Sequence, residues 1–317
     1  MHVFSSLDAV ALTHPQAVTI GVFDGVHRGH HYLIQRTVET AARLGAEVTL
    51  VTFWPPPLVV LQPDIPPNVL MLPGEKEAVL AQLGTIAHVI VLPFTPELAQ
   101  WSPDAFMASL QQHMPIAALV EGDDFTLGHK RAGTVEWLHA YGRTHDIVIE
   151  RVARRETAGQ PISSTRIRQM VTDGDVADAA ALLGRPYFLQ GEVAHGDGRG
   201  RTLGFPTANL QIAPIKLIPA NGIYAVRAWD TRTPHIVWDG AANIGTRPTF
   251  DGTERRVEVF LLDIDLDLYG ATLCVEMVQR LREERRFADS EALIAQMTLD
   301  VSVARRILSD QETGTDV

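Results

Sequence analysis

The hydrophobic pattern of this chain changes period once, near Gly184-Arg185-Pro186, and no single sheet or bundle accommodates both halves. Before that point, short apolar runs at 17–22, 48–53, 88–92, 117–120 and 147–152 alternate with helical faces such as Leu33, Ile34, Val38, Ala41 and Ala42. This rhythm predicts an α/β domain, a Rossmann-like parallel sheet with helices on its faces. After it, β-branched and aromatic runs at 187–194, 222–229, 257–262 and 271–278 are separated by the turn residues Gly240, Asp251-Gly252 and Tyr269-Gly270. These predict an antiparallel β-barrel or sandwich. The stripe Leu293, Met297, Val301, Ala304 and Leu308, starting after a cap at Ser290, predicts a closing helix. The expected domains are 1–185 and 186–309, with a polar, flexible tail at 310–317. A length of 317 residues, 46% of them hydrophobic, is enough for two buried cores.

Charge and cysteine content narrow the partners. A net charge of −11 argues against nonspecific nucleic-acid binding, which needs clustered Lys and Arg, so any phosphates must be met locally. Cys274 is the only cysteine, which excludes an internal disulfide and a thiolate metal cluster and fits a reducing compartment. The sequence has no apolar run near the roughly 20 residues of a membrane span, and its first residues lack a signal-peptide layout. A cytoplasmic enzyme of small molecules is expected.

Two motifs carry phosphate chemistry. The first, GVFDGVHRGH at 21–30, follows an apolar strand and opens an amphipathic helix. Gly25 and Gly29 allow close backbone approach, His27 and His30 offer imidazole donors, and helix N-terminal amides complete an anion pocket. With His31 the same residues also fit a metal cluster or ordinary turn histidines. No Walker A motif is present. Ser163-Ser164-Thr165-Arg166-Ile167-Arg168 sets hydroxyls before a helical stretch, a phosphate site or a plain cap. Gly122-Asp123-Asp124-Phe125 follows the fourth strand, at a crevice edge or in an Asx turn. The proline-rich stretch 54–67 is expected to be a loop after the second strand, lining the same crevice.

The second motif, GRGRTLGFPTANL at 198–210, lies between β-patterned runs and lacks dinucleotide-fingerprint spacing. On its own it reads equally as a glycine-rich strand connection. Thr207 and Asn209, however, supply two hard oxygen ligands of the kind Mg²⁺ takes alongside nucleotide phosphates. On the run 257–261, alternate residues share one face and Glu258 points to the other, as a general base or a solvated carboxylate.

From GVFDGVHRGH through EGDDFTLG and ISSTRIR to GRTLGFPTANL, the chain resembles the bacterial family of bifunctional riboflavin kinases and FMN adenylyltransferases, also called FAD synthetases. The resemblance implies an N-terminal nucleotidyltransferase domain and a C-terminal kinase domain. In the first, Phe23, Asp24, Gly25, His27, His30, Ser163, Ser164, Thr165 and Arg168 would bind ATP, His30 stabilising the departing pyrophosphate, and Asp123, Asp124 and Phe125 would border FMN. In the second, Gly198, Arg201, Gly204, Phe205, Pro206 and Thr207 would bind ATP and Thr207 with Asn209 would hold Mg²⁺. Asn243, Gly245, Arg247, Pro248 and Arg282 would bind the flavin, and Glu258 would be the base. Substrates and products would be riboflavin, FMN, FAD and ATP. One departure is local: where the family has Pro-His-Pro, this chain reads Pro55-Pro56-Pro57.

Overall fold

The computed structural model describes residues 1–317 except 65–67, 197–199, 201–202, 250–251, 265 and 313–317, and also leaves aside the side chains of 247–249, 252–254 and 311–312. The chain divides into two compact units, Met1–Ser164 and Thr165–Val317.

The first unit is built on a six-stranded parallel sheet. Its strands are β1 (His2–Phe4), β2 (Gln16–Ile20), β3 (Glu47–Trp54), β4 (His88–Pro93), β5 (Ile116–Gly122) and β6 (Val148–Val152), in the order β1-β4-β3-β2-β5-β6. Every residue of β2 is buried, as a strand covered on both faces must be. The helices are α1 (Arg28–Leu44), α2 (Pro57–Leu61), α3 (Glu75–Gln82), α4 (Pro103–His113) and α5 (Val135–His145). Helix α1 buries Ile34, Thr37 and Ala41 and stops at Gly45, whose φ of 61° makes the left-handed cap. Helices α4 and α5 begin at Ser102 and Thr134, whose side chains accept from Ala105 N and Trp137 N. The core joins Val18, Ile20, Val51, Ile90 and Leu119 of the sheet to Met107, Leu110 and Leu138 of these helices. Because β3 lies on one side of β2 and β5 on the other, a crevice opens at the carboxyl ends of β2 and β5. A short antiparallel pair, β7 (Glu156–Thr157) and β8 (Gln160–Pro161), follows.

The stretch 54–67 is not all loop, because α2 occupies Pro57–Leu61. Pro57 sits in the first turn of that helix, where a missing N–H breaks no intrahelical bond, so prolines that forbid a helix interior here begin one.

Helix α6 (Ser164–Asp173), in the second unit from Thr165 onward, leads into α7 (Val176–Leu183), which packs on β9 and β14 of the barrel that follows. The Asp173 carbonyl accepts from Arg280 Nη1 at 3.4 Å, and Ala220 N donates to Val171 O at 3.3 Å. These contacts group both helices with the barrel, about twenty residues before the division expected from sequence.

The barrel closes in the order β10-β13-β12-β11-β14-β9. Its strands are β9 (Tyr187–Ala194), β10 (Ala208–Gln211), β11 (Gly222–Asp230), β12 (Trp238–Thr249), β13 (Gly252–Leu261) and β14 (Thr272–Arg282). Tyr224, Ala242, Ile244, Val257 and Val259 are buried, and their neighbours Ile223, Asn243 and Glu258 are half-buried on the opposite face. Gly240 lies inside β12 rather than at the expected turn. A Cβ there would come within 2.8 Å of the Phe260 carbonyl, so its glycine serves a close strand approach. Gly252 begins β13 directly opposite Thr249 at the end of β12, Asp251 lies outside the described residues, and Tyr269-Gly270 is a turn. Helix α8 (Ser290–Glu312) packs Ala304 and Leu308 against Ala225, Ala241 and Val278. Its cap is Asp289, one residue before the expected Ser290: Asp289 Oδ1 accepts from Ala292 N at 2.8 Å. The helix runs past 310, where a tail was expected.

Candidate functional site

In the first unit the chain leaves β2 through a contorted turn. Gly25 has φ of 85°, and the non-glycine residues Phe23 and Val26 sit at 50° and 39°. Such backbone costs about 1–3 kcal/mol per residue and persists only where its surroundings impose it. Here Asp24, 2% exposed, accepts from Leu70 N and Met71 N, each at 3.0 Å, and its carbonyl receives the Ser164 hydroxyl at 2.8 Å. The Asp24 carboxylate is thus a clasp for the turn. Phe23 is buried beneath the His30 ring, with centroids 5.0 Å apart.

His27 caps α1 by an exchange with His30: His30 N donates to His27 Nδ1 at 3.3 Å, and His27 N donates to His30 Nδ1 at 3.2 Å. The rings stack at 3.6 Å. With both Nδ1 atoms used as acceptors, a neutral ring carries its proton on Nε2. Two N–H donors therefore stand at a helix N-terminus, which itself favours anions. A Cβ at Gly29 would meet the His27 ring at 3.1 Å, so the third glycine of the motif makes room for the cap.

The turn's first residues, Gly21 and Val22, border a cavity of about 660 Å³ that also takes in Phe53, Phe94, Trp101, Asp124 and Phe125. Its aromatic wall suits a planar ring system. Asp124 pairs with Arg154, whose Nε also lies 3.7 Å from Asp123 Oδ1, and Arg151 donates to the Asp123 carbonyl, so this acidic edge is balanced. Pro56 is buried, and its neighbour Pro57 lines the cavity. Ser163 is half-buried; Thr165 and Arg168 follow on α6 in the second unit.

Lys76 and Glu121 are among the buried ionisable groups that sequence reasoning missed. Lys76 is discussed below. Glu121, 1% exposed, accepts from Ile20 N at 2.7 Å through Oε1, while Oε2 has no hydrogen-bond partner. Burial pushes its carboxyl well above the usual range. An acid set directly against the apolar run 116–120 was the readable signal. The folded chain holds this proton where the unfolded chain releases it, so stability falls as pH rises above the ordinary glutamate value. Glu121→Gln should therefore raise the thermal midpoint more at pH 8 than at pH 5; an equal shift at both would show that Glu121 titrates normally.

In the second unit, Asn209 pairs with Glu258, Glu258 with Asn243, Asn243 with Ile223, and Ile223 with Arg282. Directly opposed residues point to the same side of a sheet, so these five form one row across β10, β13, β12, β11 and β14. Ile223, Asn243, Glu258 and Arg282 of this row, with Thr207, line a cavity of about 370 Å³ that is walled by Phe205, Phe260, Phe287 and α8 residues Leu293 and Met297. A second cavity, of about 280 Å³, is lined by Pro206, Thr207, Val259, Leu268 and Tyr269. Thr207 lines both. Arg282 is held by Asp300 of α8, with Nε to Oδ1 at 2.9 Å and Nη2 to Oδ2 at 2.7 Å, so the guanidinium reaches the cavity in a fixed orientation.

Glycines bring the loop onto these groups. A Cβ at Gly196 would lie 2.2 Å from Asn209 Nδ2, and one at Gly200 would lie 2.3 Å from the Phe205 carbonyl and 3.3 Å from Thr207 Oγ1. Gly204, at φ of 86°, turns the chain into the Phe205-Pro206-Thr207 segment. Gly245 faces Glu284, 2.6 Å from where a Cβ would be. Gly198 and Arg201 lie outside the described residues, and Arg247 and Pro248 are described only as backbone of β12. The hydroxyl of Thr207 and amide oxygen of Asn209 are neutral hard donors. No group of three or more His, Cys, Asp or Glu suited to a metal occurs among the described residues. This donor set fits Mg²⁺ that arrives with anionic phosphates, and not a free-standing cation site.

A parallel nucleotide-type sheet with a histidine turn, and a barrel with two cavities meeting at one threonine, define a two-site phosphate-transfer enzyme. The FAD synthetase family model matches residues 10–166 and the riboflavin kinase model matches residues 183–308. The bifunctional riboflavin kinase/FMN adenylyltransferase of Escherichia coli K12 is 38% identical over 91% of both chains, and that of Bacillus subtilis is 34% identical over 96% of this chain and 99% of its own. A solved structure described as a macrolide-efflux protein from Streptococcus pneumoniae has a TM-score of 0.87 at 32% identity, covering 96% of this chain and 98% of that one. No helix among the described residues is long and apolar enough to cross a membrane. The chain belongs to the bifunctional riboflavin kinase/FMN adenylyltransferase family.

Proposed function

We infer that the barrel unit phosphorylates riboflavin with ATP to give FMN, and that the sheet unit adenylylates FMN with a second ATP to give FAD and pyrophosphate. The observation that carries the residue assignment is Thr207, which lines both cavities, with Glu258 lining the first and Asn209 paired with Glu258 on the neighbouring strand. One cavity, walled by aromatic and α8 side chains, suits the flavin ring; the other suits the nucleotide.

In the kinase step Glu258 accepts the proton of the ribityl 5′-hydroxyl as its oxygen bonds to the γ-phosphorus and the bond to ADP breaks. Asn243 and Arg282, at the same face, orient the flavin. Mg²⁺ held by Thr207 and Asn209 would supply charge neutralisation across the phosphates. The glycines at 196 and 200 let the loop pack against Asn209 and Thr207, and Gly204 turns it, so backbone amides of this loop would meet phosphates held there.

In the adenylyl step a phosphate oxygen of FMN attacks the α-phosphorus of ATP and the bond to pyrophosphate breaks. That nucleophile is already anionic, so no strong base is required. The Nε2–H donors of His27 and His30, the amides opening α1 and the hydroxyl of Ser163 stabilise charge on the departing pyrophosphate. Asp124 and Phe125 border the flavin in the larger cavity. ATP as co-substrate, buried Cys274 and the net charge of −11 support a cytoplasmic enzyme of small molecules that does not bind nucleic acid.

The assignment of chemistry to units is tested by expressing residues 165–317 alone. Because α7 packs on β9 and β14, this fragment should fold, phosphorylate riboflavin and make no FAD. A fragment starting at 186 exposes the surface that α7 covers and should melt at a lower temperature. A folded 165–317 fragment without kinase activity would place part of the kinase site elsewhere.

A further inference from the structure

Lys76, near the start of α3, is 4% exposed, an unusual place for an ammonium group with no reacting partner. Its Nζ donates to the Val22 carbonyl at 2.9 Å and to Thr52 Oγ1 at 3.1 Å, and Thr52, fully buried on β3, donates to the same carbonyl at 3.0 Å. Val22 is the last residue before the backbone enters the left-handed region at Phe23. Asp24, one residue further, lies close enough to favour the charged lysine against the desolvation that lowers its pKa. The turn is thus held from one side by Asp24 on the backbone of 70–71 and from below by Lys76 and Thr52 on the carbonyl of Val22.

We propose that Lys76 is a positioning residue for adenylyl transfer: by fixing the Val22 carbonyl it sets the turn that presents His27 and His30 to the departing pyrophosphate. Its charge, shielded from water, also lies behind an anion-binding turn, where it is screened less than a surface lysine would be. The inference rests on the adenylyl-transfer reading of the first unit, and the experiment separates the two. The full chain is first assayed for FAD formation from supplied FMN, ATP and Mg²⁺; no FAD would overturn the reading and the inference with it.

Given activity, Lys76→Met keeps the length of the stem and removes the donor. The expected result is a fall of about 10- to 100-fold in kcat for FAD formation, the size of one charge-assisted hydrogen bond, with KM for FMN within about twofold because the far cavity wall is untouched. Combined with His30→Ala, the double variant should lose less than the product of the two single losses, since both act through one turn. A purely structural role would move KM, kcat and thermal midpoint together and give independent effects. Lys76→Met with wild-type kcat, or losses that multiply, would overturn the proposal. If the Lys76→Met chain does not fold, Thr52→Val carries the test: it leaves the charge in place and removes one donor to Val22. A kcat lowered about 3- to 10-fold supports the proposal, and an unchanged kcat overturns it.

Discussion

Glu258→Gln is expected to lower FMN formation from riboflavin by about 10² to 10⁴, the usual worth of a positioned general base, while FAD formation from supplied FMN continues. The substitution is nearly isosteric, and Glu258 sits half-buried on the outer side of β13 between Asn209 and Asn243, so the barrel interior at Val257 and Val259 is not disturbed. The amide can still exchange hydrogen bonds with its neighbours but cannot take a proton from the ribityl hydroxyl. KM for riboflavin should change little, because the aromatic and α8 walls of the cavity remain. Separate chromatographic assays from riboflavin and from FMN check this. Equal loss of both activities in a folded variant would remove Glu258 from the role of base.

His30→Ala is expected to produce the opposite pattern, a loss of about 10² to 10³ in FAD formation with riboflavin phosphorylation retained. Two effects combine. The Nε2–H donor at the helix N-terminus disappears, and so does the acceptor for His27 N, which leaves the stacked partner without its half of the capping exchange. A lost cap costs about 1 kcal/mol of stability, too little to account for a rate loss of this size, so a modest fall in thermal midpoint beside a large fall in kcat is the expected signature. A comparable loss of kinase activity would contradict the division of labour between units.

Much of this was legible in the sequence because it depends on local pattern. The alternation of apolar runs and helical faces before residue 184 and the β-patterned runs after it follow from burial on one or both faces. The alternation around Glu258 follows from strand geometry alone. What the sequence hid depends on pairing across the chain. Nothing local shows that Asn209, Glu258 and Asn243 share a row, which is set by the register of β10, β13 and β12. Nor does it show that Asp24 turns inward to hold 70–71, or that Lys76 reaches under the turn from another helix. The glycine at 240 and the prolines at 55–57 carried ordinary turn and loop signals, and tertiary contacts gave them other uses. Their meaning lay in the Phe260 carbonyl behind Gly240 and the helix that Pro57 opens.

The central claim is that one chain transfers two different parts of ATP to a flavin, and isotope position reads this directly. The purified chain is incubated with riboflavin, Mg²⁺ and ATP labelled either at the γ- or at the α-phosphorus, and the flavins are separated over time. The account expects γ-label in FMN first, and then FAD carrying γ-label in its flavin-side phosphate and, in the parallel reaction, α-label in its adenylyl phosphate. Flavin that never acquires γ-label, or γ-labelled FMN that accumulates with no α-label ever entering a flavin, would contradict it.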